Sequence, residues 1–359
     1  MSRKLFFFCA SLQSGGTERV LSVLSKPLAD HYDTVVYLMW YDAPLYYNID
    51  TRIKILSLEK IAKSKSFAKK IAALRTFVKQ EFPNLFLAFG APFSMLSIIS
   101  LMGTKCPVIA LERIDPEKFV RGKCLRKFRD ILYRYADGIL TQTDSGSQYF
   151  KNMSYFDNVT VIHNPILMPQ ETIGSALNAI KKDIVISVAR LAPQKNQVFL
   201  INSFAKFHEL HPTYKLYIYG EGKERIKLEK LIKELNASEY IKLPGVSKNV
   251  WEYMKQAKLF VLTSHYEGMS NSMLEAMSLG LPCVSTKVSG AVDIINHNIN
   301  GILIDNNNEQ SLINEMSRIV DDSQFAYNLG LMATKVYNNL DAKKIAKTWI
   351  NYLDKKIIE

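Results

Sequence analysis

The sequence predicts an α/β protein built from two doubly wound domains facing a central cleft. Three observations carry this. Short apolar runs alternate with longer amphipathic stretches along nearly the whole chain, as parallel sheets covered by helices on both faces require. The alternation comes in two successive series. Between them, residues 165–182 contain Pro165, Pro169 and Gly174 with little periodicity, which is a linker by composition. The chain has 359 residues, 48% hydrophobic and 22% charged, enough for two globular domains and unlike a disordered segment.

In the first series the strands read as Leu5–Ser11, Thr34–Met39, Ile53–Leu58, Leu85–Ala88, Pro107–Leu111, Gly138–Thr141 and Val159–Ile162. The first run follows Arg3 and Lys4 and faintly imitates a signal peptide. It is far shorter than the ~20 residues of a membrane span, and it leads into Gln13-Ser14-Gly15-Gly16-Thr17-Glu18 rather than a small-residue cleavage site. A buried first strand is the better reading. Helical patterns follow at Thr17–Ala29, Ile61–Glu81 and Lys118–Tyr135. In the second series strands read at Ile184–Ala189, Lys215–Tyr219, Ile241–Leu243, Leu259–Leu262, Pro282–Ser285 and Gly301–Ile304. The tail Ala342–Ile358 is helical, with Trp349 and Tyr352 on its apolar side. The expected partition is 1–165 for an N-terminal domain, 166–182 for a linker and 183–340 for a C-terminal domain, each domain with a ligand crevice at the carboxyl ends of its strands. Residues 341–359 form a helix able to cross back to the first domain.

Charge narrows the partners. The formal net charge is +12, of which residues 1–170 carry +9 and the remainder +3. Such an excess favours acidic partners. Residues 60–79 hold seven basic residues and no acidic one, with Ile61, Phe67, Ile71, Leu74 and Val78 as an apolar face. Lys118–Arg134 has seven basic residues and one acid, interleaved with Phe119, Leu125, Phe128 and Leu132. Basic amphipathic helices suit an anionic membrane surface, although a core-facing stripe with solvated lysines explains the same pattern. No RNA-binding signature or zinc-finger spacing occurs, so nucleic acid is not an expected partner. Cys9, Cys106, Cys124 and Cys283 are widely spaced with no CxxC pair, which argues against a disulfide framework or a zinc site and for the cytoplasm.

Four segments can carry chemistry. Gly15 and Gly16 stand between a first strand and a first helix, where a tight turn or an anion site at the helix N-terminus are both open. Arg190 ends an apolar strand and Lys195 is expected to open the following helix; two cations at one crevice can neutralise a diphosphate. Gly220-Glu221-Gly222 follows the next strand. The richest stretch runs from Ser264 to Met277. Glu267 lies in a loop, Glu275 about one turn into the next helix, and Gly268 allows close backbone approach. The amides near Met269, Ser270, Asn271, Ser272 and Met273 belong to a helix N-terminus, another anion site.

This second half resembles the nucleotide-sugar domain of glycosyltransferase family 4, retaining enzymes of GT-B architecture with two Rossmann-like domains. The matching pieces are Ser187-Val188-Ala189-Arg190-Leu191 with Lys195, Gly220-Glu221-Gly222 and Leu243-Pro244-Gly245-Val246. They continue with Glu267-Gly268 through Glu275-Ala276-Met277, then Gly280-Leu281-Pro282 and Asn300-Gly301. Order and spacing agree over roughly residues 183–320, and the two glutamates eight positions apart are the most specific element. Gly15-Gly16-Thr17-Glu18-Arg19 is similar to the family's N-terminal glycine loop. Many relatives carry a His after the strand that here ends in Glu112-Arg113. Some capsule, O-antigen and exopolysaccharide transferases resemble the Glu-Arg arrangement instead.

The resemblance implies a retaining transferase that moves a hexose or N-acetylhexosamine from a nucleotide-diphosphate sugar, UDP-linked by preference, to a polyprenyl-diphosphate-linked glycan. Arg190 and Lys195 would bind the diphosphate, and Glu275 the ribose hydroxyls. Glu267 would face the donor sugar, Gly16 and Gly268 to Met273 would hold phosphate or sugar, and Gly245 and Val246 would flank the base. Glu112 and Arg113 would lie on the acceptor side, with Arg113 binding an acceptor phosphate or pairing with Glu112. No D-x-D occurs, so no metal cofactor is expected. The implied location is cytoplasmic, peripheral on the inner face of the cell membrane. The competing functions are a nucleotide-sugar epimerase or hydrolase of the same fold, and a basic membrane- or nucleic-acid-binding protein.

Overall fold

A computed structural model describes residues 3–13, 15–118, 122–153 and 156–358. The chain forms two compact units. The first comprises the residues up to Leu167 together with those from Leu340 onward, and the second spans Met168–Asn339.

The first unit is built on seven parallel strands: β1 (Lys4–Cys9), β2 (Thr34–Met39), β3 (Lys54–Ser57), β4 (Leu85–Phe89), β5 (Val108–Glu112), β6 (Gly138–Thr141) and β7 (Val159–Val161). Their order is β3-β2-β1-β4-β5-β6-β7. The apolar runs are continuous because helices cover both faces. Phe6, Phe8, Val36, Leu38, Phe86 and Ala88 point to one side, where they meet Leu74 and Val78 of helix Phe67–Glu81. The order reverses between β1 and β4. Ligands of open parallel sheets bind outside the carboxyl ends of the strands at such a reversal. Gly15 and Gly16 follow β1 there.

Helix Ala342–Ile358 belongs to this unit. Trp349 is buried and stacks on Phe89 at 6.4 Å between ring centroids. Asp354, near its end, accepts from His31 Nε2 at 2.8 Å and Tyr32 Oη at 2.9 Å, and pairs with Arg3 at 3.4 Å.

The second unit has six parallel strands: β8 (Ile184–Val188), β9 (Lys215–Tyr219), β10 (Ile241–Gly245), β11 (Leu259–Leu262), β12 (Cys283–Thr286) and β13 (Ile302–Ile304). The order is β10-β9-β8-β11-β12-β13, reversing between β8 and β11. The loops after β8 and β11 carry the conspicuous charged residues.

Three expectations are corrected. Residues 166–182 are not a free linker. Ile166 N–H donates to Leu340 O within the first unit, and from Met168 the chain packs on the second unit. There Gly174 and Ala176 donate their amides to Ser278 and Leu279. The stretch 61–81 is not one helix, because Lys63 turns left-handed at φ 48° and residues 62–66 separate Leu58–Ile61 from Phe67–Glu81. Helix Lys123–Tyr133 begins after the expected start, and Phe119 lies outside the described residues. Among the described residues, no helix is long and apolar enough to cross a membrane, and no cluster of three or more His, Cys, Asp or Glu side chains is placed to hold a metal.

Candidate active site

In the second unit, Arg190 stands on the loop after β8. That loop is shaped from below by the end of β9. A Cβ on Gly220 (φ 140°) would lie 2.0 Å from Ala189 O, and one on Gly222 (φ 158°) 2.2 Å from Leu191 O. Only glycine lets the two loops approach this closely. The contact is sealed by Leu191 N–H to Glu221 O at 2.9 Å and Glu224 N–H to Leu191 O at 3.1 Å. Gly220-Glu221-Gly222 therefore shapes the loop that presents Arg190. The Arg190 side chain is exposed, with no ion pair among the described residues.

Lys195 sits in the single 3₁₀ turn Pro193–Lys195 and does not open the helix. That helix starts at Gln197, after Asn196 in the left-handed region (φ 52°). Lys195 Nζ donates to Glu267 Oε2 at 2.5 Å, with both side chains largely buried. Gln194 binds Tyr266 O at 2.8 Å and reaches Glu267 at 3.4 Å, and its own carbonyl accepts His265 N–H at 2.8 Å. The loops after β8 and β11 are thus tied together across the sheet's reversal. Lys195 is charge-balanced by Glu267, and Arg190 remains the cation open to an incoming anion.

Gly268 is pressed against a neighbouring backbone: its carbonyl accepts Gly290 N–H at 2.9 Å, and a Cβ on Gly290 would fall 2.2 Å from that oxygen. Ser270 caps helix Asn271–Leu279, its Oγ accepting from Met273 N–H at 3.5 Å. The Met273 amide is therefore committed to the cap, and Ser272 Oγ is committed to Val188 O at 2.7 Å. What the helix start offers an anion is its macrodipole. Met269 and Met273 are buried, and Asn271 is the first helical residue. Glu275 is 3% exposed, and its Oε2 accepts from Trp251 Nε1 at 2.9 Å. Trp251 carried no sequence cue; its partner lies 24 residues away. Gly245 ends β10 at φ 86°, and Val246 beside it is exposed.

In the first unit, Gly16 is the first residue of helix Gly16–His31. The Glu18 carboxylate occupies the space a Cβ on Gly15 would need. Glu112 and Arg113 do not pair. Successive residues of a strand point to opposite faces, and Glu112 turns into the core, where Tyr133 Oη donates to it. Glu112 is thereby removed from the acceptor side. Arg113 donates to Asn164 Oδ1 at 2.8 Å, and its Nε is buried without a partner. Burial lowers the Arg113 guanidinium to about 10, partly opposed by the Glu18 charge. His163 contacts Gln142 O through Nδ1 at 2.9 Å, a structural bond.

Burial raises the Glu112 carboxyl to about 7, against the opposing pull of Arg129 and the Tyr133 hydroxyl. A carboxyl whose folded value lies above its unfolded one (4.5) binds its proton more tightly in the folded state. Its contribution to stability is complete below about 4.5 and is lost as pH rises through about 7. Urea midpoints measured from pH 4.5 to 8 should fall with rising pH, and Glu112→Gln should flatten that fall.

Residues 170–336 match the family described as "Glycosyl transferases group 1". That match spans nearly the whole of the second unit, which is similar to a group 1 glycosyltransferase domain. Over 98% of both chains, the protein is 25% identical to the "GalNAc-alpha-(1->4)-GalNAc-alpha-(1->3)-diNAcBac-PP-undecaprenol alpha-1,4-N-acetyl-D-galactosaminyltransferase" of Campylobacter jejuni. It is 28% identical, over 98% of this chain and 99% of the other, to that organism's "N-acetylgalactosamine-N,N'-diacetylbacillosaminyl-diphospho-undecaprenol 4-alpha-N-acetylgalactosaminyltransferase". The fold is similar to that of Anabaena HepE solved with UDP and glucose, with a TM-score of 0.81 at 19% identity, covering 98% of this chain and 99% of HepE. The protein is a glycosyltransferase of GT-B fold.

Proposed function

We propose that this glycosyltransferase moves a hexose or N-acetylhexosamine, with retention of configuration, from a UDP-sugar to a polyprenyl-diphosphate-linked glycan. The observation that carries the reading is the strand-end cluster of the second unit. It combines one open cation (Arg190), a buried Lys195–Glu267 pair, a capped helix start and a buried carboxylate (Glu275) around one sheet reversal. A nucleoside diphosphate sugar offers a complement to each: diphosphate for the cation and helix dipole, sugar for Glu267, ribose for Glu275. The relatives named for undecaprenyl-diphosphate acceptors support the acceptor class.

In the reaction, the bond between the sugar's anomeric carbon and the diphosphate oxygen breaks. The acceptor hydroxyl bonds to that carbon on the same face, and its proton passes to the leaving diphosphate. Arg190 stabilises the departing charge. Lys195 fixes Glu267 beside the sugar, where the carboxylate steadies positive charge growing on the ring. Fixed charges of this kind need no reorganisation as charge develops. We propose that no metal is required. In the first unit, we propose that Arg113 meets an acceptor phosphate; its Nε, buried without a hydrogen-bond partner, supports that reading.

The test is a panel of UDP- and GDP-sugars without added metal, followed by nucleotide release and thermal shift. One sugar nucleotide that stabilises the protein and is slowly hydrolysed supports the reading; no response to any of them, or to free UDP and GDP, overturns it.

We also propose a cytoplasmic enzyme held at the inner membrane face through helix Lys123–Tyr133. Helix Phe67–Glu81 is the weaker of the two expected contacts, because Leu74 and Val78 of its stripe are spent on the core. Helix Lys123–Tyr133 instead exposes Leu125, Phe128 and Ile131 beside Lys123 and Lys127. Apolar and basic side chains on one face match an anionic bilayer. Co-sedimentation with phosphatidylglycerol-containing vesicles at low salt should fall at least about fivefold in Phe128→Glu, and an unchanged bound fraction would sink this contact.

A further inference from the structure

We propose that Trp251 is a nucleoside-positioning residue of the donor site, holding Glu275 in the orientation that meets the ribose. The inference rests on the proposed role of Glu275. Helix Val250–Gln256 begins a few residues after Gly245 and Val246, so Trp251 joins the base side of the site to the ribose side. Its indole Nε1–H donates to Glu275 Oε2 at 2.9 Å, and Glu275 is almost wholly removed from solvent.

A buried carboxylate needs hydrogen-bond donors to offset lost hydration. Rotation about its last bond is also broad and roughly two-fold, so an unheld carboxylate does not present fixed acceptor directions. The indole N–H answers both needs. It binds one oxygen in a charge-assisted hydrogen bond, about twice the strength of a neutral one, and so fixes the plane of the group. A ribose diol asks for acceptors in set directions. Indole donates and cannot accept, so Trp251 holds the carboxylate without competing for the sugar's hydroxyl protons.

The experiment is calorimetric binding of UDP and of 2′,3′-dideoxy-UDP to the full chain, in parallel with GDP and its dideoxy analogue. Trp251→Phe keeps the ring and loses the N–H. It should weaken the ribonucleotide by roughly tenfold, within the range for hydrogen bonds to charged groups, while leaving the dideoxy analogue unchanged. Glu275→Gln should lose the same discrimination, and adding Trp251→Phe to it should change little more. Trp251→His, which retains a ring N–H, should restore part of the preference and keeps the test readable where the Phe variant is less stable.

Equal weakening of both nucleotides by Trp251→Phe, or no weakening of either, overturns the positioning role while leaving Glu275 intact. A wild-type protein that binds both nucleotides equally overturns the ribose role of Glu275, and Trp251 with it. No binding of any nucleoside diphosphate overturns the donor site itself.

Discussion

Arg190→Ala should lower kcat/KM for the donor by roughly 10²–10³ while leaving the melting temperature where it was. Removing one preorganised anion-stabilising group typically raises the barrier by ~2.7–4 kcal/mol. Arg190 is exposed and has no ion pair among the described residues. Its truncation therefore breaks no ion pair among the described residues, and the loss should be confined to ligand binding and turnover. Lys195→Ala is a different experiment. It strands the largely buried Glu267 carboxylate that Lys195 holds at 2.5 Å, so stability and turnover should fall together. Measuring donor kinetics and thermal unfolding for both variants separates an open cation from a structural one. Normal kinetics in Arg190→Ala would remove the cluster's claim on a diphosphate.

Arg129→Ala should cost about 3–5 kcal/mol of unfolding free energy, the range for breaking a buried ion pair from one side. Arg129 is fully buried. It donates to Asp130 Oδ1 from Nε at 2.9 Å and Nη2 at 2.7 Å, and to Pro116 O from Nη1 at 2.6 Å. Its guanidinium also lies 5.2 Å from the Tyr149 ring centroid and 5.3 Å from that of Phe150. Alanine leaves Asp130 buried without its charge partner and opens a cavity between two rings. It also takes away the charge that holds Glu112 down, so the pH-dependent loss of stability should extend to higher pH. Urea denaturation at pH 5 and pH 8 checks both statements. A change below about 1 kcal/mol would mean that the network adds little beyond packing.

The strand positions were legible because each buried strand is a continuous apolar run bounded by turn residues. Thr34–Met39, Gly138–Thr141, Lys215–Tyr219 and Leu259–Leu262 match the sequence reading at both ends. Two of the failures come from contact between distant residues. Gly174 and the prolines near it read as a linker, yet Gly174 and Ala176 are bonded to residues about a hundred positions away. Trp251 was invisible for the same reason. Glu112 was legible in principle: the two-residue period of a strand sends adjacent side chains to opposite faces, so Glu112 and Arg113 could not both line one crevice. In the second unit, the spacing of Arg190, Lys195, Glu267 and Glu275 placed them all near one sheet reversal, but not the Lys195–Glu267 bond that divides the two cations between different tasks.

The docking of helix Ala342–Ile358 on the first unit sets an order of events during synthesis. The sheet of the first unit is translated before Met168–Asn339, and the helix that carries Trp349 onto Phe89 comes after it. At ~5–20 residues per second, the ribosome takes roughly ten to thirty seconds to make that intervening stretch. Through this interval the first unit has an uncovered apolar face, and the second unit has all its residues before the first does. Mutations that weaken the helix should therefore appear first as lost yield during expression, before they change the turnover of the protein that survives.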